Sequence, residues 1–174
     1  LGKIVLACGD LIAGGFDLSL GSLITLVVIA GAMITQGDAA LTAPAVFAVF
    51  AIGLVVGAVN GIVVAYVKVP SIITTLGTLL SVQGIAMAWS GGAPSSTLPE
   101  NFRYLGRGRL HDVPVLGSLP VSAIVLVLVW AMTHWLLHRT NFGSMVFMLG
   151  DNPKAALLAG VPTRRVRVAC FVIS

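Results

Sequence analysis

Apolar runs of about 20 residues, nearly free of charge, recur along this chain and limit its fold more than any other feature. One such run crosses a hydrocarbon layer about 30 Å thick as a single α-helix. No water reaches the backbone there, so only helices and closed barrels span a bilayer. The alternating polar and apolar strands of a barrel are absent from the sequence. That leaves an all-α class: a polytopic transmembrane helix bundle, with the lipid bilayer as its solvent. Charged residues make up 9% of the chain and hydrophobic ones 57%, where a soluble domain carries about 25% charge.

Spans are expected near 1–13, 18–36, 43–67, 70–90, 120–137 and 165–174. An outer loop is expected at 91–119 and a cytoplasmic loop at 138–164. The chain starts without Met and stops at Ser174 inside an apolar stretch. It therefore reads as one membrane domain, 1–174, and as a piece of a longer protein. No cleavable signal peptide is visible. Cys8 and Cys170 both lie in apolar segments, which argues against a disulfide scaffold. The net charge of +4 comes mostly from one loop, so it indicates topology and not nucleic-acid binding.

Lys3 and Asp10 stand seven apart, on one helical face, in an otherwise apolar segment. Gly14 and Gly15 then loosen the helix, and Asp17 is placed to cap the next one. An acid deep in the membrane costs about 2.5–3.5 kcal/mol on insertion scales, so it needs a role or a partner. Two readings stay open: a broken helix beside a translocation path, with Asp17 and Ser19 on it, or a cap at the membrane surface.

Gly53, Gly57 and Gly61 recur every fourth residue and make a smooth face for helix packing, within one subunit or between two. Asn60, in the same stretch, is expected to hydrogen-bond to a neighbouring helix and is a further candidate for the translocation path. After the turn Lys68-Val69-Pro70, Pro70 is expected to start a helix through Trp89. Thr74, Thr78 and Ser81 share one face of it at i, i+4 and i+7. That stripe either edges a polar path or joins helices by hydrogen bonds.

The 91–120 stretch carries Phe102, Arg103, Tyr104, Arg107, Arg109, His111 and Asp112 and reads as a loop outside the bilayer. It is either a solvated connection or a docking surface for another protein. Trp130 and Trp135 sit where interfacial anchors belong. His134 and His138 have an i, i+4 spacing, but two ligands without a nearby Cys or carboxylate do not make a metal site. No metal is expected.

The stretch Arg139–Arg167 is the one long polar interruption with a strong positive excess. Arg139, Lys154, Arg164, Arg165 and Arg167 stand against Asp151, which places it in the cytoplasm. Counting back puts 91–120 outside, Lys68 inside and the Gly37–Thr42 turn outside. Within it Asn152 is a good N-cap, Pro153 a good first residue and Gly160 a natural stop for a short helix over Lys154, Ala155, Ala156, Leu157, Leu158 and Ala159. A helix of two turns is marginal alone, so it must rest on its own membrane domain or on a partner. Thr163 is expected to cap a last helix starting near Arg164.

Three ordered motifs resemble one family. GGFDLSLGS at Gly14–Ser22 is similar to the GGIDLSVGS signature of the permease subunits of bacterial ABC importers for ribose and related monosaccharides. VNGIVVAYVKVPSIITTLGTLLSVQGIA at Val59–Ala86 and RTNFGSMVFMLGDNPKAALLAGV at Arg139–Val161 resemble two further runs of that superfamily. The D-L-S form favours the sugar branch over the branched-chain amino-acid branch. Lys154 stands where the family often has Glu, and Leu157 where Arg is common. Lys3 and Asp10 also depart from a segment that is usually neutral.

The resemblance implies a multi-pass subunit of the bacterial inner membrane that moves solute by alternating access. It implies three partners: a cytoplasmic ABC ATPase, a periplasmic solute-binding protein and a second permease subunit, identical or not. Asn152–Gly160 would be the helix that couples to the ATPase. ATP would be bound by that partner, so no cofactor is expected here, and the chain itself carries no G-x-x-x-x-G-K-[ST] loop and no nucleophile–base constellation. The alternatives are a permease for another small solute, such as a branched-chain amino acid or nucleoside, an ion-coupled secondary transporter using Asp17 or Asp10, a channel, or a membrane scaffold.

Overall fold

The computed structural model describes residues 15–92, 99, 108–113 and 117–174. The expected span at 1–13, with Lys3 and Asp10, lies outside the described residues, as do Phe102, Arg103, Tyr104 and Arg107. Seven α-helices are described: α1 (Leu20–Thr35), α2 (Thr42–Ile62), α3 (Ser71–Ser90), α4 (Val121–Arg139), α5 (Asn141–Asp151), α6 (Pro153–Leu158) and α7 (Thr163–Ile173). A 3-10 turn at Ala39–Leu41 leads into α2, and a π turn at Val63–Val67 continues it.

Three helical stretches are long and apolar enough to cross a membrane. They are Ala39–Val67, Ser71–Ser90 and Val121–Arg139, with mean hydropathies of 2.5, 1.5 and 1.8. α1 is equally apolar but has only 16 residues, about 24 Å of helix, less than the hydrocarbon thickness. It is shorter than the 18–36 expected because Ser19, not Asp17, holds the N-cap position and Gln36 ends the helix in a left-handed conformation (φ 46°).

α1 lies against α2 and α3, and α2 packs most extensively on α7. The first apolar cluster joins Leu26 and Ile29 of α1 to Val82 and Ala86 of α3, with Ile52 and Val56 of α2 against it. The α2–α7 contact explains two glycines of the expected stripe. A Cβ on Gly57 would meet the Phe171 carbonyl, and one on Gly61 would lie 2.9 Å from the Val168 Cα. Gly53 has open space around it. The glycine face therefore packs inside this chain at its lower two members, and the third does not take part.

The expected outer loop contains a short antiparallel hairpin, β1 (Arg109–Val113) and β2 (Gly117–Pro120), with a bulge between His111 and Val113. The Val121 N–H donates to the Gly108 carbonyl at 2.9 Å and ties the hairpin to the start of α4. Glycine- and proline-rich sequence reads as loop, and so short a pairing leaves no periodic signal.

The Arg139–Arg167 stretch is more structured than expected. α5 places Phe142, Met145, Val146 and Leu149 at i, i+3, i+4 and i+7, a helical face that the polar loop reading overlooked. Those residues build a second apolar cluster with Ala156, Val161, Val166 and Cys170. Gly143 is obligatory there, because any Cβ would run into the backbone of Leu137 at the end of α4. Thr163 is the first residue of α7 and not its cap; Pro162 precedes it and no side chain caps the helix.

Candidate functional site

Two groups of residues draw attention, and they sit at one end of the bundle. The first is a hydrogen-bonded polar chain around the start of α1. Gly15–Leu18 is non-helical, and its backbone groups find side-chain partners. The Phe16 N–H donates to Ser71 Oγ (3.1 Å), the Thr75 hydroxyl donates to the Phe16 carbonyl (3.3 Å), and Asp17 Oδ1 accepts from the Ser19 N–H (2.8 Å). Irregular backbone among membrane helices survives only where such partners exist.

Asp17 Oδ1 also accepts from Ser19 Oγ at 2.6 Å. Ser19 Oγ in turn accepts from Asn60 Nδ2 at 3.1 Å, and Asn60 Oδ1 accepts from Thr78 Oγ1. The chain Asp17–Ser19–Asn60–Thr78 thus links the pre-helix segment to α2 and α3. Ser19 donates to the carboxylate, so it must accept from the amide, which fixes the orientation of the Asn60 side chain. Ser19 and Asn60 are fully buried.

Phe16 bonds to Ser71 and Thr75, which places Asp17 beside the first turn of α3, close to the Lys68 turn. From there the hydrogen-bonded chain runs to Thr78, the eighth residue of α3. Of the six residues considered for a path, Asp17, Ser19, Asn60 and Thr78 come together and join helices. Thr74 and Ser81 do not join them; their hydroxyls bond to the carbonyls of Pro70 and Gly77. Thr75, fully buried and bonded across to Phe16, is no part of the expected stripe, although its preceding neighbour Thr74 is. Only the conformation of Gly15–Leu18 reveals its role.

The second group is α6 and its surroundings. Asn152 Oδ1 accepts from the N–H groups of Lys154 and Ala155, both at 3.1 Å, and Pro153 fills the first helical position. At the other end Gly160 takes φ 83°. Its N–H donates to the Leu157 carbonyl, and the Val161 N–H to that of Ala156. This is a Schellman stop, sealed by Val161 and Ala156 in the same apolar cluster. α6 therefore rests on its own chain through Ala156, which is 2% exposed. Ala156 thus points inward. The outward residues are Leu157, 63% exposed, and Leu158, 90% exposed.

Between α6, the Tyr66–Ile72 turn and the start of α7 lies a cleft of about 1070 Å³. Lys68, Arg164, Arg165 and Arg167 line it, and among the described residues no acidic one does. The Arg164 guanidinium stands over the Tyr66 ring, 5.6 Å from its centre.

His134 and His138 stack with ring centres 4.3 Å apart, and His138 Nδ1 lies 3.1 Å from the His134 carbonyl. Among the described residues no group of three potential metal ligands occurs.

Residues 10–174 match the family described as branched-chain amino acid transport system / permease component. The chain is 33% identical over 174 residues to the autoinducer 2 import system permease protein LsrC of Escherichia coli (strain K12 / DH10B), covering 98% of this chain and 49% of that protein. It is 35% identical over 186 residues to the galactose/methyl galactoside import permease protein MglC of Haemophilus influenzae, covering 95% and 53%. The LsrC protein of Yersinia pestis (strain Pestoides F) is 33% identical over 172 residues, with 97% and 47% covered. The chain thus spans about half the length of the curated relatives it matches. No solved structure matches it.

Proposed function

The chain belongs to the family of branched-chain amino acid transport system permease components, and from that premise we propose that it is part of the translocation subunit of an ATP-driven ABC importer for a monosaccharide. Family members of this kind are permease components and not enzymes, so ATP hydrolysis falls to a separate cytoplasmic subunit. The D-L-S segment at Asp17–Ser19 and the sugar importer among the relatives support a sugar. The relatives are named for galactose and for autoinducer 2, so ribose is one of several solutes to test.

The observation that carries this reading is the geometry of α6. It is a capped two-turn helix, anchored to its own chain by Ala156, that holds Leu158 90% exposed outside the long apolar helices. A leucine so exposed on so short and rigid an element suits a groove on an ATPase. Movement of that groove would pass through α6 and α7 to α2, on which α7 packs. A periplasmic binding protein would deliver the sugar on the opposite side, and a second permease subunit would complete the path. The face of α3 carrying Thr74, Gly77 and Ser81 would edge that path, with Asp17–Ser19–Asn60–Thr78 holding the helices around it. The subunit would sit in the bacterial inner membrane.

The test is uptake of labelled ribose and galactose into proteoliposomes that hold the full-length permease with its ATPase and binding protein. Uptake should require ATP inside and the binding protein outside. Uptake driven by a proton or sodium gradient without ATP would make the protein a secondary transporter instead.

A further inference from the structure

The cleft beside α6 has a specific chemistry. Lys68 comes from the turn between two membrane-length helices, and Arg164, Arg165 and Arg167 from the first turns of α7. Among the described residues none of the four forms an ion pair; Arg164 is engaged only with Tyr66. The first N–H groups of α7 lack a side-chain cap and add positive potential at the same end.

The remaining walls are mostly apolar, including Val64, Val69, Ile72 and Leu157, with the hydroxyl residues Ser71 and Thr163 among them. The cleft lies where Ala39–Val67 ends and Ser71–Ser90 begins, hence at headgroup depth. Tyr66 and Ile72, both half exposed, line it as well. Clustered cations, apolar walls and a place at the ends of the spans match an amphiphile with an anionic head. Basic pockets between membrane helices on the cytoplasmic side are suited to phosphate headgroups.

We propose that this cleft binds the phosphate headgroup of an anionic phospholipid of the inner leaflet, with Lys68, Arg165 and Arg167 on the phosphate and the acyl chains along Tyr66 and Ile72. An acidic segment of the ATPase is disfavoured, because the cleft lies beside Tyr66 and Ile72 at the ends of two membrane-length helices, with only Pro153 and Leu157 of α6 on its wall. The bound lipid would brace the Lys68 turn against α6 and α7. The proposal rests on the cytoplasmic orientation of that turn.

Native mass spectrometry of the full-length permease, purified and titrated with phosphatidylglycerol or phosphatidylcholine, tests it. The wild type should retain phosphatidylglycerol in preference to phosphatidylcholine. Lys68→Gln, Arg165→Gln and Arg167→Gln together should reduce that retention, by about fivefold per charge removed. Arg139→Gln, a cation outside the cleft, should not. If the triple variant fails to fold, Lys68→Gln and Arg165→Gln alone carry the test, since both side chains are exposed.

Equal retention of the two lipids, or an equal loss in Arg139→Gln, would overturn the site. Displacement of the lipid by inorganic phosphate at millimolar concentration would mean that the cleft takes free phosphate. Unchanged lipid retention with weakened ATPase co-purification in the triple variant would assign the cleft to the ATPase. The measurement uses neither ATP nor sugar, so its failure leaves the import reading standing, and a failure of import leaves the lipid result standing.

Discussion

Asn60 donates from Nδ2 to the Ser19 hydroxyl at 3.1 Å, across 41 residues of sequence. Its Oδ1 accepts from Thr78 on a third element. One amide therefore holds α2, α3 and the entry to α1 together.

Removing that amide should cost little for so central a residue. In Asn60→Ala the Ser19 hydroxyl keeps Asp17, and the Thr78 hydroxyl keeps the Thr74 carbonyl. Neither is left unsatisfied, so the loss should be about 1 kcal/mol. Thermal unfolding in detergent would read it as a modest fall in Tm with insertion intact. Asp17→Ala should cost more, since it frees both the Ser19 N–H and its hydroxyl.

The glycines at 53 and 57 should respond oppositely. Gly57→Ala forces a methyl onto the Phe171 carbonyl, a collision with backbone that cannot rotate away. A destabilisation of about 1–3 kcal/mol is expected, read as loss of the monodisperse peak in size exclusion. Gly53→Ala should be neutral, because nothing lies within 4 Å of its Cβ position.

Ala156 and Leu158 separate folding from partner contact. Ala156→Asp buries a carboxylate among Val146, Leu149 and Val166 and should cost about 2–4 kcal/mol. Its product should be degraded or aggregated. Leu158→Asp alters a side chain that is 90% exposed and should leave stability within about 0.5 kcal/mol. It should still abolish ATPase co-purification and ATP-driven uptake. Full coupling in a well-expressed Leu158→Asp protein would remove α6 from the docking role.

Gly143→Ala should detach α5 from the end of α4, since its Cβ would occupy the space of the Leu137 backbone. Limited proteolysis should then cut near Thr140–Gly143 at rates well above wild type. Gly160→Val, strained at φ 83°, should loosen α6 in the same assay.

Orientation is checked by single cysteines in a background without Cys8 and Cys170. A cysteine at Ser95 should react with an impermeant thiol reagent from outside, and one at Lys154 only after permeabilisation. The positive excess of the Arg139–Arg167 stretch sets this direction. The reverse pattern would invert the topology and move the basic cleft to the wrong leaflet for its proposed lipid.

What the sequence determined by itself is local or compositional. Apolar length dictates α2, α3 and α4, because a lipid-facing helix needs no partner to reveal its polarity. Asn152, Pro153 and Gly160 dictate both ends of α6, because caps act within a few residues of their own helix. The rest depends on which surfaces meet. Gly53, Gly57 and Gly61 look equivalent in sequence, yet α7 covers two and leaves one open. Ala156 and Leu158 are two residues apart on one short helix, and only the core formed by α5 and α7 tells which faces in. Asp17 is a possible cap by sequence alone, and only the fold joins it through Ser19 to Asn60 of α2 and Thr78 of α3. In a chain this apolar nearly every helix face is hydrophobic, so polarity no longer distinguishes inside from outside. The contacts do so instead, through the close approach of backbones and the pairing of a few buried polar groups.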